Sequence, residues 1–292
     1  MATLVVSAVR REMKKELSMA SFFRKPTVRS VAAILSEQRF SSSDEGISEH
    51  QNGLGTLSES MIIANEDNPG PFLFLFPESD GIPSVYSSAF STLDCKVVAF
   101  GDNRWGQPVD MKIDTVENMA IAYITEILNI QPSGQYNLAG WSFGGYLALE
   151  VAQQLEERGK EVRIVIMADS NIWNEEQVTA SKQRPKWRPA WDHLLTVVND
   201  KNAWLSQFYR VKSMVARYRV SRGKYRGRVV LFKALRGRVI GEFMVREDSH
   251  NGWREYLPQV EVKNVDVTHR EMFDRENGSL MGVLISQVLV EV

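Results

Sequence analysis

The sequence is poor in the features that mark secreted, membrane and nucleic-acid-binding proteins. One cysteine, Cys95, makes an intrachain disulfide impossible and fits a reducing compartment. The formal net charge of −1 provides no overall attraction to nucleic acid. No run approaches the ~18 apolar residues of a transmembrane helix. We therefore expect neither a nucleic-acid partner nor a membrane span, and we expect Cys95 to be buried packing beside a strand.

The N-terminal region also lacks the leading basic segment and the long apolar run of a secretory signal. Residues 1–35 are rich in Arg and Lys, as a mitochondrial transit segment is, but Glu12 and Glu16 oppose that interpretation. We predict a cytoplasmic location, with mitochondrial import as the alternative.

What the chain does contain is an ordinary globular composition, with 43% hydrophobic and 24% charged residues among 292. Residues 1–38 have apolar side chains at helical spacing, and residues 39–60 are rich in Ser, Gly, Glu and Asn, as flexible linkers are. Over residues 61–292 strand and helix patterns alternate, which predicts one larger domain. Residues 174–222 interrupt the alternation with aromatic-rich, helical pieces.

Alternation of this kind predicts an α/β fold with a mostly parallel central sheet and helices on both faces. Short apolar runs predict the strands and amphipathic runs predict the helices. Gly159 is expected to end the predicted helix 146–158. The predicted strands are 72–76, 96–100, 135–139, 162–168, 228–232 and 260–265, and the predicted helices are 115–128 and 146–158.

Residues 140–144 read Gly-Trp-Ser-Phe-Gly, a Gly-x-Ser-x-Gly motif between a predicted strand and a predicted helix. This is the setting of a nucleophile elbow, in which a sharp turn exposes the serine hydroxyl at a helix N-terminus. The glycines leave room for strand and helix to pack closely around the turn. We predict Ser142 as the nucleophile and the Phe143 amide as one oxyanion donor. A tight turn with an inert serine is the alternative.

An activated serine needs a base and a carboxylate that orients the base. Asp169 directly follows the strand predicted after the elbow, which places it at the same sheet edge as Ser142. Its rivals are Asp192 in the aromatic insert, Asp248, and Asp266, which is too close in sequence to the preferred base. Asp169 is the preferred acid, and an ordinary helix-capping or loop aspartate is the alternative.

Four histidines are candidates for the base. His50 lies in the linker and His193 in the aromatic insert, whereas His250 and His269 follow strand-like segments. In an elbow hydrolase the chain order is nucleophile, acid, histidine. His269 is preferred because it follows the last predicted strand and precedes a C-terminal helix. His250 is its main rival, and a structural loop histidine is the alternative.

The loop after the first core strand, residues 77–81, is expected to supply the second oxyanion donor. The backbone amides of Glu78 and Ser79 are the candidates. The acidic side chains of this loop could instead be solvated surface. The sequence predicts no metal site.

Several segments resemble the thioesterase domains that end polyketide and nonribosomal peptide synthases. They are the elbow 140–145, the strand end 165–170, the segment 251–273, which looks like the family's closing histidine segment, and the loop 76–86, which is most like that of fungal synthases. The resemblance covers about residues 61–290. It implies an α/β-hydrolase fold, a triad of Ser142, Asp169 and His269, and a lid at 174–222.

The resemblance also implies a function, a serine thioesterase of secondary metabolism, including toxin biosynthesis. Such an enzyme releases an acyl, polyketide or peptidyl chain, by hydrolysis or cyclisation, from the phosphopantetheine of a separate carrier protein or synthase. No cofactor bound to this chain is implied. The alternatives are a general esterase-, lipase- or peptidase-like serine hydrolase and an inactive hydrolase-fold binding protein. One departure is the loop after Pro77, which carries more glycine in the family.

Residues 18–28 resemble the last part of a carrier-protein domain. Residues 1–38 are accordingly interpreted as a carrier remnant without the phosphopantetheine-bearing serine, so that the carrier would act in trans. A simple helical cap is the alternative. Carrier proteins of this family tend to be acidic, and residues 209–228 are unusually basic. That stretch is expected either to dock a carrier or to be a solvated helix face.

Overall fold

The computed structural model describes residues 61–102, 104, 110, 112, 114–172, 201–220, 225–236 and 249–291, together with Val9, Val31, Ala32 and Leu35. The predictions of a helical remnant at 1–38 and a linker at 39–60 fall almost entirely outside the described residues. The first part of the expected lid, residues 174–200, also lies outside them.

Strands and helices alternate along the described part of the domain, as the sequence predicts. The strands are β1 (Met61–Ala64), β2 (Phe72–Phe76), β3 (Lys96–Phe100), β4 (Gln135–Trp141), β5 (Glu161–Ala168), β6 (Val229–Ala234) and β7 (Glu261–Val265). The α-helices are α1 (Ser87–Phe90), α2 (Val116–Ile130), α3 (Phe143–Glu157), α4 (Lys201–Arg217) and α5 (Gly278–Val290), with short 3-10 helices at Pro83–Tyr86 and Trp253–Glu255. Within these ranges, no helix has the length and apolar character needed to cross a membrane.

The strands form one sheet in the order β1-β3-β2-β4-β5-β6-β7. β1 is antiparallel to β3, and every other neighbouring pair is parallel. The prediction of a mostly parallel sheet is confirmed. The antiparallel edge strand β1 is not among the predicted strands, because its four residues give too short a pattern to be recognised.

Two hydrophobic cores lie on opposite faces of the sheet, because successive side chains of a strand point to opposite sides. In β2, Phe74 and Phe76 belong to the core formed with α2 and α3, whereas Leu73 and Leu75 belong to the core formed with α1 and α5. None of these four side chains is more than 1% exposed. Burial on both faces explains the unbroken apolar run of β2, and the prediction of helices on both faces is confirmed.

Helix α3 begins at Phe143, three residues before the predicted start, so Gly144 and Gly145 lie inside its first turn. Glycine normally weakens a helix, which is why the sequence pattern predicts a later start. Here a close approach requires it, since a Cβ atom on Gly144 would lie 2.5 Å from the carbonyl oxygen of Phe76. The predicted stop is found at Gly159, whose φ is 70°.

A ligand crevice forms in such a sheet where neighbouring strands send their connections to opposite faces. The chain leaves β2 towards α1 on one face and leaves β4 towards α3 on the other. The carboxyl ends of β2 and β4 therefore flank a crevice. Ser142 follows β4, Asp169 follows β5 and His269 comes after β7, so the three residues lie at this same edge.

Candidate active site

Ser142 occupies a sharp turn between β4 and α3. Its backbone has φ 55° and ψ −114°, a conformation that is costly for a residue other than glycine. A Cβ atom on Gly140 would lie 2.1 Å from the carbonyl carbon and oxygen of Gly144, so the two ends of the turn are in close contact. The strand, the strained serine and the helix that follows have the geometry of a nucleophile elbow.

The carboxylate of Asp169 is hydrogen-bonded to the imidazole of His269, with 2.8 Å between Oδ2 and Nδ1. Its other oxygen, Oδ1, accepts the side-chain N–H of Asn251 at 2.9 Å and the backbone N–H of Ala234 at 3.3 Å. Burial by itself raises the pKa of Asp169, but the hydrogen bond and charge of His269, with the bond from Asn251, outweigh burial and lower that pKa. Asp169 is therefore held as the charged partner of His269.

Asn251 is a site residue that the sequence reasoning missed. Its backbone has φ 51°, and that of Asp169 has φ 43°. With Ser142, these are three of the four non-glycine residues with positive φ in the described ranges, so backbone strain concentrates at the site. An asparagine before a glycine is a turn signal, but nothing in that signal indicates a contact with Asp169.

Two of the rival candidates are described, and neither takes part in the Asp169–His269 pair. Nδ1 of His250 is hydrogen-bonded to the neighbouring Ser249 hydroxyl at 2.6 Å. The side chain of Asp266 is 81% exposed and pairs with Arg236 at 3.1 Å. The other rivals, Asp192, Asp248, His50 and His193, lie outside the described residues.

Trp141, directly before Ser142, connects the elbow with the segment that carries His269. Its ring centroid lies 5.3 Å from that of His269 and 5.7 Å from that of Phe273. The indole is almost fully buried. The imidazole thus packs against the residue that precedes the serine, which limits how far the two segments can separate.

The loop after β2 uses the carboxylate of Glu78 to bind its own backbone. This carboxylate accepts the Ser79 N–H at 2.6 Å, the Ser79 hydroxyl at 2.5 Å and the Asp80 N–H at 3.2 Å. The Ser79 amide is therefore already engaged, and of the two predicted loop donors the Glu78 amide stays the preferred prediction. The Phe143 amide is the first of α3 and has no acceptor within the helix.

The alternative that the acidic side chains of this loop are solvated is wrong for Glu78, which is buried. Burial raises the pKa of Glu78 well above its usual range, and the nearby charge of Asp80 raises it further. A carboxyl whose pKa is raised by folding stabilises the protein at low pH, and this contribution is lost as pH rises through the folded pKa.

The substitution Glu78→Gln is expected to remove this pH dependence. Glutamine keeps an acceptor oxygen but cannot ionise, so relative to the wild type the variant should gain stability as pH rises above about 4.5. Urea unfolding of both proteins at about pH 5 and about pH 8 measures the difference. Glu66→Gln, at an exposed position, is the control. If the free energies of unfolding of wild type and Glu78→Gln differed by the same amount at both pH values, the expectation would be contradicted.

A cluster of buried charges joins helix α4 to the loop after β3. Arg104 pairs with Asp102 at 3.0 Å and with Asp114 at 2.5 Å, and Arg210 of α4 pairs with Asp114 at 3.1 Å. These side chains are between 1% and 4% exposed. Gln207 of α4 donates a further hydrogen bond to Asp102 at 3.0 Å. Opposite charges balance within the cluster, as buried ions require.

The same cluster reaches the loop after β2. The backbone N–H of Asp102 donates to the carbonyl oxygen of Gly81 at 2.9 Å. After the end of α4, the hydroxyl of Tyr218 donates to the carboxylate of Glu150 on α3 at 2.6 Å. The described part of the predicted lid is therefore a helix bound to the body of the domain at its middle and just after its carboxyl end, and its role as a lid stays a prediction.

The basic stretch 209–228 does not form one exposed surface. Arg210 is buried in the charge cluster, and Arg228 pairs with Glu261 at 2.9 Å and with Glu291 at 3.4 Å. Both arginines neutralise acids of this chain. A carrier that docks on this stretch would have to use its remaining basic residues.

Comparison with known proteins shows the family to which the chain belongs. A family model described as "Thioesterase domain" matches residues 71–282. Malpibaldin synthetase of Mortierella alpina is 27% identical over 99% of this chain, and Bikaverin polyketide synthase bik1 of Gibberella fujikuroi is 26% identical over 58% of it. The chain spans only 5% and 10% of the lengths of these two relatives.

A solved structure shares the architecture. The NocB thioesterase domain, in covalent complex with a fluorophosphonate nocardicin G analog, has a TM-score of 0.64 and 26% identity, over 78% of this chain and 99% of that one. The family match extends over well more than half of the chain, and the elbow follows the strand where the fold requires it. The chain therefore belongs to the thioesterase-domain family, hydrolases of thioesters with the α/β-hydrolase fold.

Proposed function

We propose that this chain is a serine thioesterase that releases an acyl, polyketide or peptidyl chain from a carrier-protein thioester. The observation that carries the proposal is the 2.8 Å hydrogen bond between Asp169 and His269 at the sheet edge where Ser142 forms a strained elbow. An elbow serine, a histidine and an orienting carboxylate at one edge are the groups that acyl transfer requires.

In the proposed reaction His269 Nε2 takes the proton of the Ser142 hydroxyl, and Oγ attacks the thioester carbonyl carbon. The new C–O bond gives a tetrahedral intermediate with a negatively charged oxygen, which collapses as the C–S bond breaks and the proton passes from His269 to the departing thiol. Asp169 keeps the proton of His269 on Nδ1 and stabilises the imidazolium. An acyl-enzyme on Ser142 and a free thiol are the products of this half-reaction.

The developing oxyanion is expected to bind the backbone amides of Phe143 and Glu78. The first belongs to the N-terminus of α3, where the helix dipole also favours negative charge. Water, or a nucleophile within the acyl chain, then attacks the ester carbonyl carbon while His269 takes its proton, and the bond between that carbon and Oγ of Ser142 breaks as His269 returns the proton to Oγ. Release is therefore by hydrolysis or by cyclisation.

The thiol that leaves is proposed to be the phosphopantetheine of a carrier protein or synthase acting in trans in the cytoplasm. Support comes from the names of two relatives, the dimodular nonribosomal peptide synthase of Bacillus subtilis and Bikaverin polyketide synthase bik1 of Gibberella fujikuroi. The assignment extends to this chain the chemistry of proteins of which it spans only a small part.

Reaction with a fluorophosphonate tests the proposal, because such a probe forms a covalent bond only with an activated serine. The mass of the intact wild type should increase by one adduct, and that of Ser142→Ala should not change. Ser279→Ala, an exposed serine on α5, is the matched control and should be labelled like the wild type. A folded wild type that stays unlabelled would refute the proposal and favour a binding role.

The substrate class is tested next with a matched pair of esters. The hexanoyl thioester of N-acetylcysteamine, which mimics the end of phosphopantetheine, should be hydrolysed with a higher kcat/KM than the oxygen ester of N-acetylethanolamine with the same acyl group. An equal or reversed preference would favour a general esterase.

A further inference from the structure

Tyr86 is fully buried at the end of the 3-10 helix Pro83–Tyr86, next to the crevice between β2 and β4. Its hydroxyl donates to the carbonyl oxygen of Phe76 at 2.6 Å and accepts the backbone N–H of Trp141 at 2.9 Å. Phe76 is the last residue of β2, and Trp141 is the last residue of β4. One hydroxyl therefore joins the carboxyl ends of the two strands that flank the crevice.

Each of these strand ends leads directly to a proposed oxyanion donor. Two residues after Phe76 comes Glu78, and two residues after Trp141 comes Phe143. Beyond the last paired residues of β2 and β4 the chain turns to opposite faces, so no ladder hydrogen bond can set the distance between the two amides. The hydroxyl of Tyr86 bonds the main chain of both strand ends just before the two amides, so it can set the distance between them.

The ring of Tyr86 also contacts the segment that carries the base. It meets Phe273 edge to face, with 4.9 Å between ring centroids. Phe273 in turn packs against Trp141, whose ring lies beside that of His269. Burial raises the pKa of Tyr86, so the hydroxyl retains the proton that it donates to Phe76.

We propose that Tyr86 is a positioning residue for the thioester reaction, whose hydroxyl fixes the spacing between the Glu78 and Phe143 amides. The inference rests on the proposed function. Tyr86 contacts no reacting atom and acts through the two strand ends. Since misplacement of a catalytic group by about 1 Å can cost about a hundredfold in rate, loss of the bridge has a large kinetic effect.

The test is Tyr86→Phe, with Tyr136→Phe as the matched control. The hydroxyl of Tyr136 also donates to a main-chain carbonyl, that of Gln131 at 2.8 Å, but at the amino end of β4, away from the site. Tyr136→Phe loses one hydrogen bond to the main chain and Tyr86→Phe loses two, so both variants should fold, with the larger loss of thermal stability in Tyr86→Phe.

Only Tyr86→Phe should lower kcat for the N-acetylcysteamine thioester, by about 10- to 100-fold with KM within about twofold, and slow fluorophosphonate labelling in proportion. Rates within twofold of the wild type, equal losses in Tyr136→Phe, or failure of Tyr86→Phe alone to fold would each overturn the inference. A wild type that is itself unlabelled would overturn the proposed function, which is a different outcome.

Discussion

Replacing Asp169 with asparagine is expected to lower kcat by about 10⁴-fold, with the fold retained. In the wild type, Oδ2 accepts from Nδ1 of His269, which leaves Nε2 free to take the proton of Ser142. Oδ1 accepts the N–H groups of Asn251 and Ala234. An asparagine would keep its oxygen towards these two donors. Its NH2 group would then face His269 and favour the tautomer in which Nε2 already carries a proton.

Steady-state kinetics with the N-acetylcysteamine thioester measure this loss. The matched control is Asp266→Asn, the exposed rival acid, which should leave kcat within about twofold of the wild type. Adding Asn251→Asp to Asp169→Asn should restore kcat about tenfold, because a carboxylate at position 251 would turn the new amide oxygen towards His269. If Asp266→Asn lowered kcat as much as Asp169→Asn does, the assignment of Asp169 as the acid would be wrong.

Removing one charge from the buried cluster is expected to cause the largest loss of stability. Arg210→Met should lower the free energy of unfolding by about 3–5 kcal/mol. The carboxylate of Asp114 would keep only one of its two arginine partners, and because it is buried, water could not replace the lost one. Two further bonds of Arg210, to the carbonyl of Arg104 at 3.0 Å and to Gln207 at 2.6 Å, would also be lost. Urea unfolding at 25 °C and constant pH measures the change.

The control for this substitution is Arg219→Met, which removes an exposed arginine just after the same helix. Its effect on the free energy of unfolding should stay within about 0.5 kcal/mol. The double variant Arg210→Met with Asp114→Asn removes a positive and a negative charge together and should recover part of the loss. If Arg210→Met and Arg219→Met lowered the free energy of unfolding by similar amounts, the buried cluster would contribute no more to stability than a surface charge.

The strands and the candidate triad could be predicted because each is marked by a local pattern, an apolar run for a strand and a place next to a strand end for a triad residue. A strand buried on both faces must be apolar throughout, and a parallel strand must end at the edge where sites form. Asp169 is thus identified by its place directly after a strand, and the structure places it 2.8 Å from His269. The roles of these residues in catalysis stay predictions.

The supporting contacts could not be predicted, because their partners are far apart in sequence and, unlike the candidate triad, belong to no motif or strand end that marks them. The bond from Trp141 to Tyr86 joins residues 55 positions apart, and that from Asn251 to Asp169 joins residues 82 apart. No local pattern specifies such pairs. Composition alone also could not separate the buried Arg210 from the exposed arginines of the basic stretch. Which side of α4 is buried depends on how the helix packs against the rest of the domain.

The ion pairs of Arg228 have a consequence for how the sheet ends. Among the described strands β7 lies at the edge of the sheet. Its Glu261 pairs with Arg228, and its Lys263 pairs with Glu291, which follows α5. A strand from a second molecule could extend the sheet only by disrupting these paired, hydrated charges. We therefore expect the charged edge beside the segment that carries His269 to resist pairing with a strand of a second molecule.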